Sequence, residues 1–155
     1  MNDSNLINED LYKQILTNMP IPCVDLVFSN EKGYFLLLKR NNEPLKSKFW
    51  LPGGRMLKGE SSALAASRKC KEELGLDIDS SQFDFMGFFE GNFSKNSFDI
   101  DGGYHVVSLV FLCTQAIEES EIILDEQSSE FKFSSSLPEE FMEYFNQMPC
   151  DYMYK

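Results

Sequence analysis

Short apolar runs, broken by polar stretches marked by glycine or proline, carry the first information in this chain. Cys23 to Ser29 and Tyr34 to Lys39 are β-rich runs flanking Asn30-Glu31-Lys32-Gly33, the signal of a hairpin. Phe49 to Leu51 predicts a short strand, and Phe83 to Phe89 and Tyr104 to Thr114 predict longer ones. Between those two, the polar, glycine-containing stretch Gly91 to Gly103 reads as a mobile loop. Ile122 to Leu124 and Glu130 to Phe133 are shorter strand candidates. The only histidine, His105, alternates in step with Val107, Leu109 and Phe111, so a half-buried supporting place is expected for it.

Three helices are predicted. Asn8, Glu9 and Asp10 open one that runs through Met19 and is ended by Pro20 and Pro22. Ser61 or Ser62 caps a second; Ala63 to Ala66, mostly strong helix formers, carry it to Leu74, and Gly75 stops it. Its expected buried stripe is Ala63, Ala66, Cys70 and Leu74. Ser136-Leu137-Pro138-Glu139-Glu140 supplies a cap, an early proline and first-turn acids, which predict a third helix over Glu139 to Gln147. Strands around a central helix, with helices at both ends and no internal repeat, predict an α/β sandwich.

A chain of 155 residues, 43% apolar and 14% aromatic, buries one sizeable core, so one domain over residues 1–155 is expected. The net charge of -11 argues against nucleic acid and anionic membranes, whose recognition depends on cationic surface. Between residues 39 and 58, however, Lys39, Arg40, Lys46, Lys48, Arg55 and Lys58 face one acid, Glu43, a local basic patch beside a glycine pair and suited to a small anion. Cys23, Cys70, Cys113 and Cys150 form no C-x-x-C pair, which predicts free thiols without a disulfide framework or zinc site. No apolar run approaches a membrane span, and Met1 to Asp10 lacks the cationic start and apolar core of a signal peptide; a cytoplasmic protein is expected.

Pro52 to Leu76, PGGRMLKGESSALAASRKCKEELGL, concentrates the chemistry. Glycines let the backbone turn sharply and approach a ligand closely. On the helix that follows, Lys69 lies one turn before Glu72 and Glu73, and Arg68 reaches Glu72 at the same spacing, because positions three and four apart share a face. Carboxylates in a last helical turn oppose the macrodipole at about 0.3–1 kcal/mol each, a cost that a divalent cation there would more than offset. Oxygen ligands with a phosphate partner suit Mg2+ or Mn2+.

The spacing Gly54, five residues, Glu60, seven residues, Arg68, then Lys69-Cys70-Lys71-Glu72-Glu73-Leu74-Gly75-Leu76 resembles the Nudix box, with Lys69 standing where Glu is usual. That family implies a Nudix-type α/β/α sandwich with a mixed β-sheet. A narrower resemblance, to GDP-mannose mannosyl hydrolases, rests on Cys23-Val24-Asp25-Leu26, Phe35 to Arg40, Phe49 to Arg55, Asn92-Phe93-Ser94 and Asp125-Glu126-Gln127 in that order. It implies hydrolysis of a nucleotide sugar at the anomeric carbon with release of GDP, and is compatible with a homodimer. By that resemblance the Gly53 carbonyl, Glu73 and Gln127 hold the metal, with Glu72 kept from the wider family's acid set. Arg40 neutralises the departing diphosphate, Asp25, Arg55, Arg68 and Tyr104 orient substrate, and Leu6, Ile7 and Tyr12 line a nucleobase pocket. The catalytic set is thus Arg40, Glu72 and Glu73. Ser128 stands where those enzymes place a histidine base, which leaves three readings open: attack at carbon, pyrophosphohydrolysis at phosphorus, or a nucleotide-sugar sensor without turnover.

Overall fold

A computed structural model describes residues 7–145. Helix α1 (Glu9–Asn18) starts where Asn8 accepts a hydrogen bond from Leu11 N–H at 2.8 Å, and it ends at Met19. Met19 is extended, as the residue before a proline tends to be. Strands β1 (Ile21–Val27), β2 (Phe35–Arg40), β3 (Phe49–Trp50) and β4 (Gly53–Arg55) follow, then helix α2 (Ser62–Leu74), the long strands β5 (Phe83–Phe93) and β6 (Tyr104–Cys113), strand β7 (Ser128–Ser134) and helix α3 (Glu139–Phe145). The strands form two sheets: a mixed one ordered β4-β1-β6-β5, in which β1 and β6 run parallel, and an antiparallel one ordered β3-β2-β7.

Strand β1 is covered on both faces, which explains its near-continuous apolar sequence. Val24 and Leu26, with Phe28 just beyond, pack with Ala65, Ala66, Cys70 and Leu74 of α2; Cys23 and Val27 pack on the opposite side with Leu16 of α1, Trp50, Phe89 and Phe141 of α3. Each fully buried Leu or Phe here contributes about 1.5–3 kcal/mol. One apolar layer therefore anchors α2 under the glycine step, and the other anchors the two terminal helices. Among the described residues, no helix is long and apolar enough to cross a membrane.

Four expectations need correction. The Asn30–Gly33 turn forms, with the Asn30 side chain accepting from Lys32 and Tyr34 N–H at 3.0 Å each, but β1 and β2 do not make a regular hairpin. They meet only at the Ser29–Phe35 bridge and then diverge into different sheets, because the alternate faces of β2 serve both apolar layers and its edges are taken by β3 and β7. Ile122 to Leu124 is no strand; it follows a short 3-10 turn at Glu119–Glu121, and Ile123 N–H caps the end of α2 at Leu74 O, 2.8 Å away. The buried stripe of α2 is wider than expected, with Ala65, Lys69 and Glu73 buried beside Ala66, Cys70 and Leu74, while Ala63 is half-buried. Finally, β5 runs on to Phe93, and the stretch after it folds around the buried Asn96. That side chain donates to Ile100 O (2.8 Å) and Gly103 O (3.0 Å) and accepts from Phe98 N–H (2.9 Å) and Ile100 N–H (3.3 Å).

Strand β5 also carries a bulge. Phe85 opposes Phe111 and Gly87 opposes Val110, so Met86 is an extra residue that moves the odd-numbered positions from one face to the other. Before it, Phe83 packs on the α2 side; after it, Phe89 and Phe93 stand edge-on to Trp50, at 6.3 and 6.2 Å between ring centroids. The helix predicted at the C-terminal end is present as Glu139–Phe145, and the rest of its expected span lies outside the described residues.

Candidate active site

The glycine step is held against β1. Asp25 opposes Gly53, Val24 opposes Gly54 and Cys23 opposes Arg55. A Cβ on Gly53 would lie 2.2 Å from Val24 O and 2.9 Å from Asp25 Cα, so only glycine lets the strands approach this closely. Leu26 N–H bonds Pro52 O at 2.8 Å and Met56 N–H bonds Pro22 O at 3.0 Å. By the alternation of an antiparallel ladder, Gly53 then turns both its N–H and its carbonyl away from β1. The N–H meets Glu73 Oε2 at 3.0 Å, which ties the last turn of α2 to the step.

Helix α2 delivers four charged side chains to this edge. It is capped by Ser61 at Leu64 N–H and closed by Gly75 in the left-handed conformation (φ 71). Lys69 Nζ lies 2.8 Å from Glu73 Oε1 and 3.2 Å from Glu72 Oε2, with the Lys69 and Glu73 side chains only 8% and 7% exposed. Burial works against the charge on Lys69, and the facing carboxylates of Glu73 and Glu72 outweigh it, so the ammonium is held above its usual range. Arg68 forks between two acids: it gives Nε and Nη2 to Glu60 at 2.9 and 2.7 Å, Nη1 to both oxygens of Glu72 at 3.1 and 3.0 Å, and Nη2 also to Arg55 O at 3.0 Å. Burial opposes ionisation of Glu60, but Arg68 and the Leu57 N–H overcome it and hold that carboxyl below its ordinary range.

The far wall comes from the second sheet. Arg40 ends β2 opposite Ser128, and Asn41 N–H bonds Gln127 O at 2.9 Å, which brings two distant segments side by side. Arg40 donates Nε–H to Pro44 O at 2.8 Å, and Gln127 donates its amide to Asp125 Oδ2 at 3.1 Å. Arg40, Gly53, Arg55, Arg68, Glu72, Tyr104, Gln127 and Tyr12 all line one cavity of about 570 Å³. Arg55 lies over the Tyr12 ring, 4.9 Å from its centroid, and Phe98 meets the same ring edge-on at 5.7 Å.

Asp25 sits behind this cavity, lining a smaller hollow of about 70 Å³ with Arg40, Gly53 and Tyr104. It accepts from Trp50 Nε1 at 3.2 Å and from the Ser108 hydroxyl. Burial pushes its carboxyl up to about 7, against the pull of Ser108, Arg40 and Trp50. Glu73 is buried beneath the wall rather than lining it. Ile7 is exposed and is not among the lining residues, because it lies outside the helix that Asn8 caps, and Leu6 is outside the described residues. His105 pairs with Glu90 at 2.8 Å away from the cavity.

Two participants, Glu60 and Phe98, take places that the sequence pattern alone does not assign. Glu60 was visible as a fixed position of the motif, and its role as the anchor of Arg68 follows from the loop that returns it to the helix. Phe98 lies in an irregular stretch where no periodicity marks it. Among the described residues, no three His, Cys, Asp or Glu side chains gather as a ready metal cage. The oxygen donors of Glu72, Glu73, Gln127 and the outward Gly53 carbonyl suit one hard divalent cation, for which Lys69 competes.

Comparison with known proteins bears on the family and the fold. The NUDIX domain family model matches residues 19–146. The chain is 31% identical over 126 residues to the low-salt glycan biosynthesis protein Agl8 of Haloferax volcanii, covering 81% of this chain and 78% of that one. It is 33% identical over 129 residues to an ADP-ribose pyrophosphatase of Methanocaldococcus jannaschii, covering 83% and 71%. The crystal structure of a MutT protein from Methanosarcina mazei Go1 superposes with a TM-score of 0.67 at 25% identity, over 84% of this chain and 94% of that one.

Proposed function

The chain belongs to the NUDIX domain family of hydrolases, and from that premise we propose that it hydrolyses a nucleoside diphosphate sugar with Mg2+ or Mn2+, GDP-mannose first among the candidates. The observation that carries this reading is the convergence of Arg40 and Arg55 with Gly53, Glu72 and Gln127 on one cavity. A diphosphate held between two guanidinium groups would find bidentate partners, and Arg40, fixed by Pro44 O, would offset the negative charge that develops as the diphosphate departs. Glu73, Glu72, Gln127 and the Gly53 carbonyl would hold the metal, which supplies Lewis-acid stabilisation of the diphosphate oxygens. Tyr12 and Phe98 offer aromatic surface to a nucleobase, and Tyr104 and Asp25 support the inner wall. Arg68 contributes by bracing Glu60 and Glu72 beneath the substrate, since its donors are engaged there.

Attack at the anomeric carbon is favoured by the diphosphate-facing arginines, because stabilising the leaving group lowers the demand on a base. A second reading, pyrophosphohydrolysis at phosphorus, is favoured by one observation: no histidine lines the cavity, in keeping with Ser128 at the position where the resemblance to mannosyl hydrolases would put a histidine base. Hydrolysis of a nucleotide-sugar panel with Mg2+ in 18O-labelled water tests both. Label in free sugar with unlabelled nucleoside diphosphate supports attack at carbon. Label in a nucleoside monophosphate or sugar phosphate refutes it and leaves the pyrophosphohydrolase. Binding without either product supports a sensor, and Ser128→His then tests whether a base restores turnover.

A further inference from the structure

The charged residues lining the cavity are four cations, Arg40, Arg55, Arg68 and Lys69, against two acids, Glu43 and Glu72, in a chain of net charge -11. Arg68 is committed to Glu60 and Glu72. Arg40 and Arg55 make no ion pair among the described residues. The acids at the helix end, where a divalent cation would bind, already hold a cation of the chain itself: Lys69 Nζ stands 2.8 Å from Glu73 and 3.2 Å from Glu72. Its place is built. A Cβ on Gly54 would lie 3.0 Å from Lys69 Cε, so the bare glycine leaves room for the lysine stem to pass beneath the loop, and the Gly53 N–H holds the other oxygen of Glu73 at 3.0 Å.

We propose that Lys69 is the resident cation of the diphosphate site, so that Arg40 and Arg55 capture the diphosphate of a nucleotide without a divalent ion, which is needed only for turnover. This rests on the nucleotide-sugar reading and deepens it. With Lys69 in place, one of the two negative charges of Glu72 and Glu73 is cancelled, and Arg68, shared between Glu72 and Glu60, offsets part of the other. With Lys69 replaced by a neutral side chain, Glu73 loses its cation and Glu72 keeps only its share of Arg68, so the added negative charge repels the diphosphate unless a metal intervenes. The metal requirement for binding is therefore written in one side chain, separate from the requirement for chemistry.

Calorimetric titration with GDP and with inorganic pyrophosphate, in EDTA and in Mg2+, tests this. The wild-type chain is expected to bind GDP in EDTA within about threefold of its affinity in Mg2+, a difference of under about 1 kcal/mol. Lys69→Met is expected to lose about tenfold or more in EDTA and to recover in Mg2+, which a merely structural lysine would not produce. Lys69→Glu is expected to gain tighter Mn2+ binding by electron paramagnetic resonance, with circular dichroism checking that both variants fold. If Lys69→Glu fails to fold, Lys69→Met carries the test alone. GDP bound by the wild-type chain in Mg2+ but not in EDTA overturns this inference and leaves the proposed function standing. Binding under neither condition overturns both, and equal behaviour of Lys69→Met and wild type in EDTA overturns the role of Lys69.

Discussion

Replacing either member of the glycine pair by alanine separates backbone strain from steric clash. Gly53 and Gly54 adopt φ 157 and 154, a region where an L-residue is strained by about 1–3 kcal/mol, so both variants carry that cost. They differ in what the new methyl meets. On Gly54 it reaches the Lys69 Cε at 3.0 Å, the far end of a flexible side chain. On Gly53 it lies 2.2 Å from Val24 O, against a comfortable carbon–oxygen separation of about 3.3 Å, so β4 or β1 has to move by about an ångström. That movement breaks into the bond between Leu26 N–H and Pro52 O and into a fully packed strand, adding a further penalty of about 1–3 kcal/mol. Gly53→Ala is thus expected to lose about 2–6 kcal/mol and Gly54→Ala about 1–3. At this chain length each kcal/mol is worth about 2–4 °C in Tm. Urea unfolding followed by fluorescence of Trp50, the only tryptophan and 4% exposed, reads both. Equal stability of the two variants would refute the claim that the step is clamped against β1.

Arg68→Ala is expected to destabilise the fold by about 1–3 kcal/mol, less than the 3–5 of a fully buried pair because the cluster is partly exposed, and Arg68→Lys to recover only part, since an ammonium cannot fork between Glu60 and Glu72. Thermal unfolding checks the order of the three, and a fully rescuing lysine would show that charge alone matters. Asp25, with a carboxyl pushed up to about 7 by burial, holds its proton more tightly folded than unfolded, so it makes stability fall as pH rises from its ordinary range near about 4 to about 7. Asp25→Asn is expected to flatten that slope in urea titrations across the window; an unchanged slope assigns it elsewhere. Glu73→Gln is expected to weaken Mg2+ affinity by about 10–100-fold or more and nearly to abolish Mg2+-dependent turnover, and unchanged metal affinity by calorimetry would remove Glu73 from the proposed ligand set.

Local chemistry was legible in the sequence, and long-range pairing was not. Ser61 and Gly75 bound α2 where the cap and stop residues predicted, and Arg68 reaches Glu72, and Lys69 reaches Glu73, at the expected one-turn spacing, because a helix fixes those distances by itself. Arg40 beside Gln127 depends on β2 finding β7, which no local pattern encodes; only the resemblance put the two in one site. Asn30 to Gly33 carry the residues of the turn that forms there, but turn residues do not say which sheet the next strand joins. Phe98 and Asn96 lie in a stretch whose order comes from side-chain bonds to backbone, a contribution invisible to apolar periodicity. Burial of the charged pair Lys69–Glu73 likewise defied the rule that charged helix positions face water, since each neutralises the other.

The extra residue at Met86 acts as a phase inverter. A strand read by alternation would place Phe83 and Phe89 on one face; the bulge resets the count so that they serve opposite layers. Deleting that one residue would leave composition and hydropathy nearly unchanged while turning Phe89 and Phe93 away from Trp50, whose indole N–H steadies Asp25. A single deletion in an outer strand would thus reach the inner wall of the cavity through two aromatic rings and one hydrogen bond. Along β5, the reading frame of the fold counts for more than the identity of any one side chain.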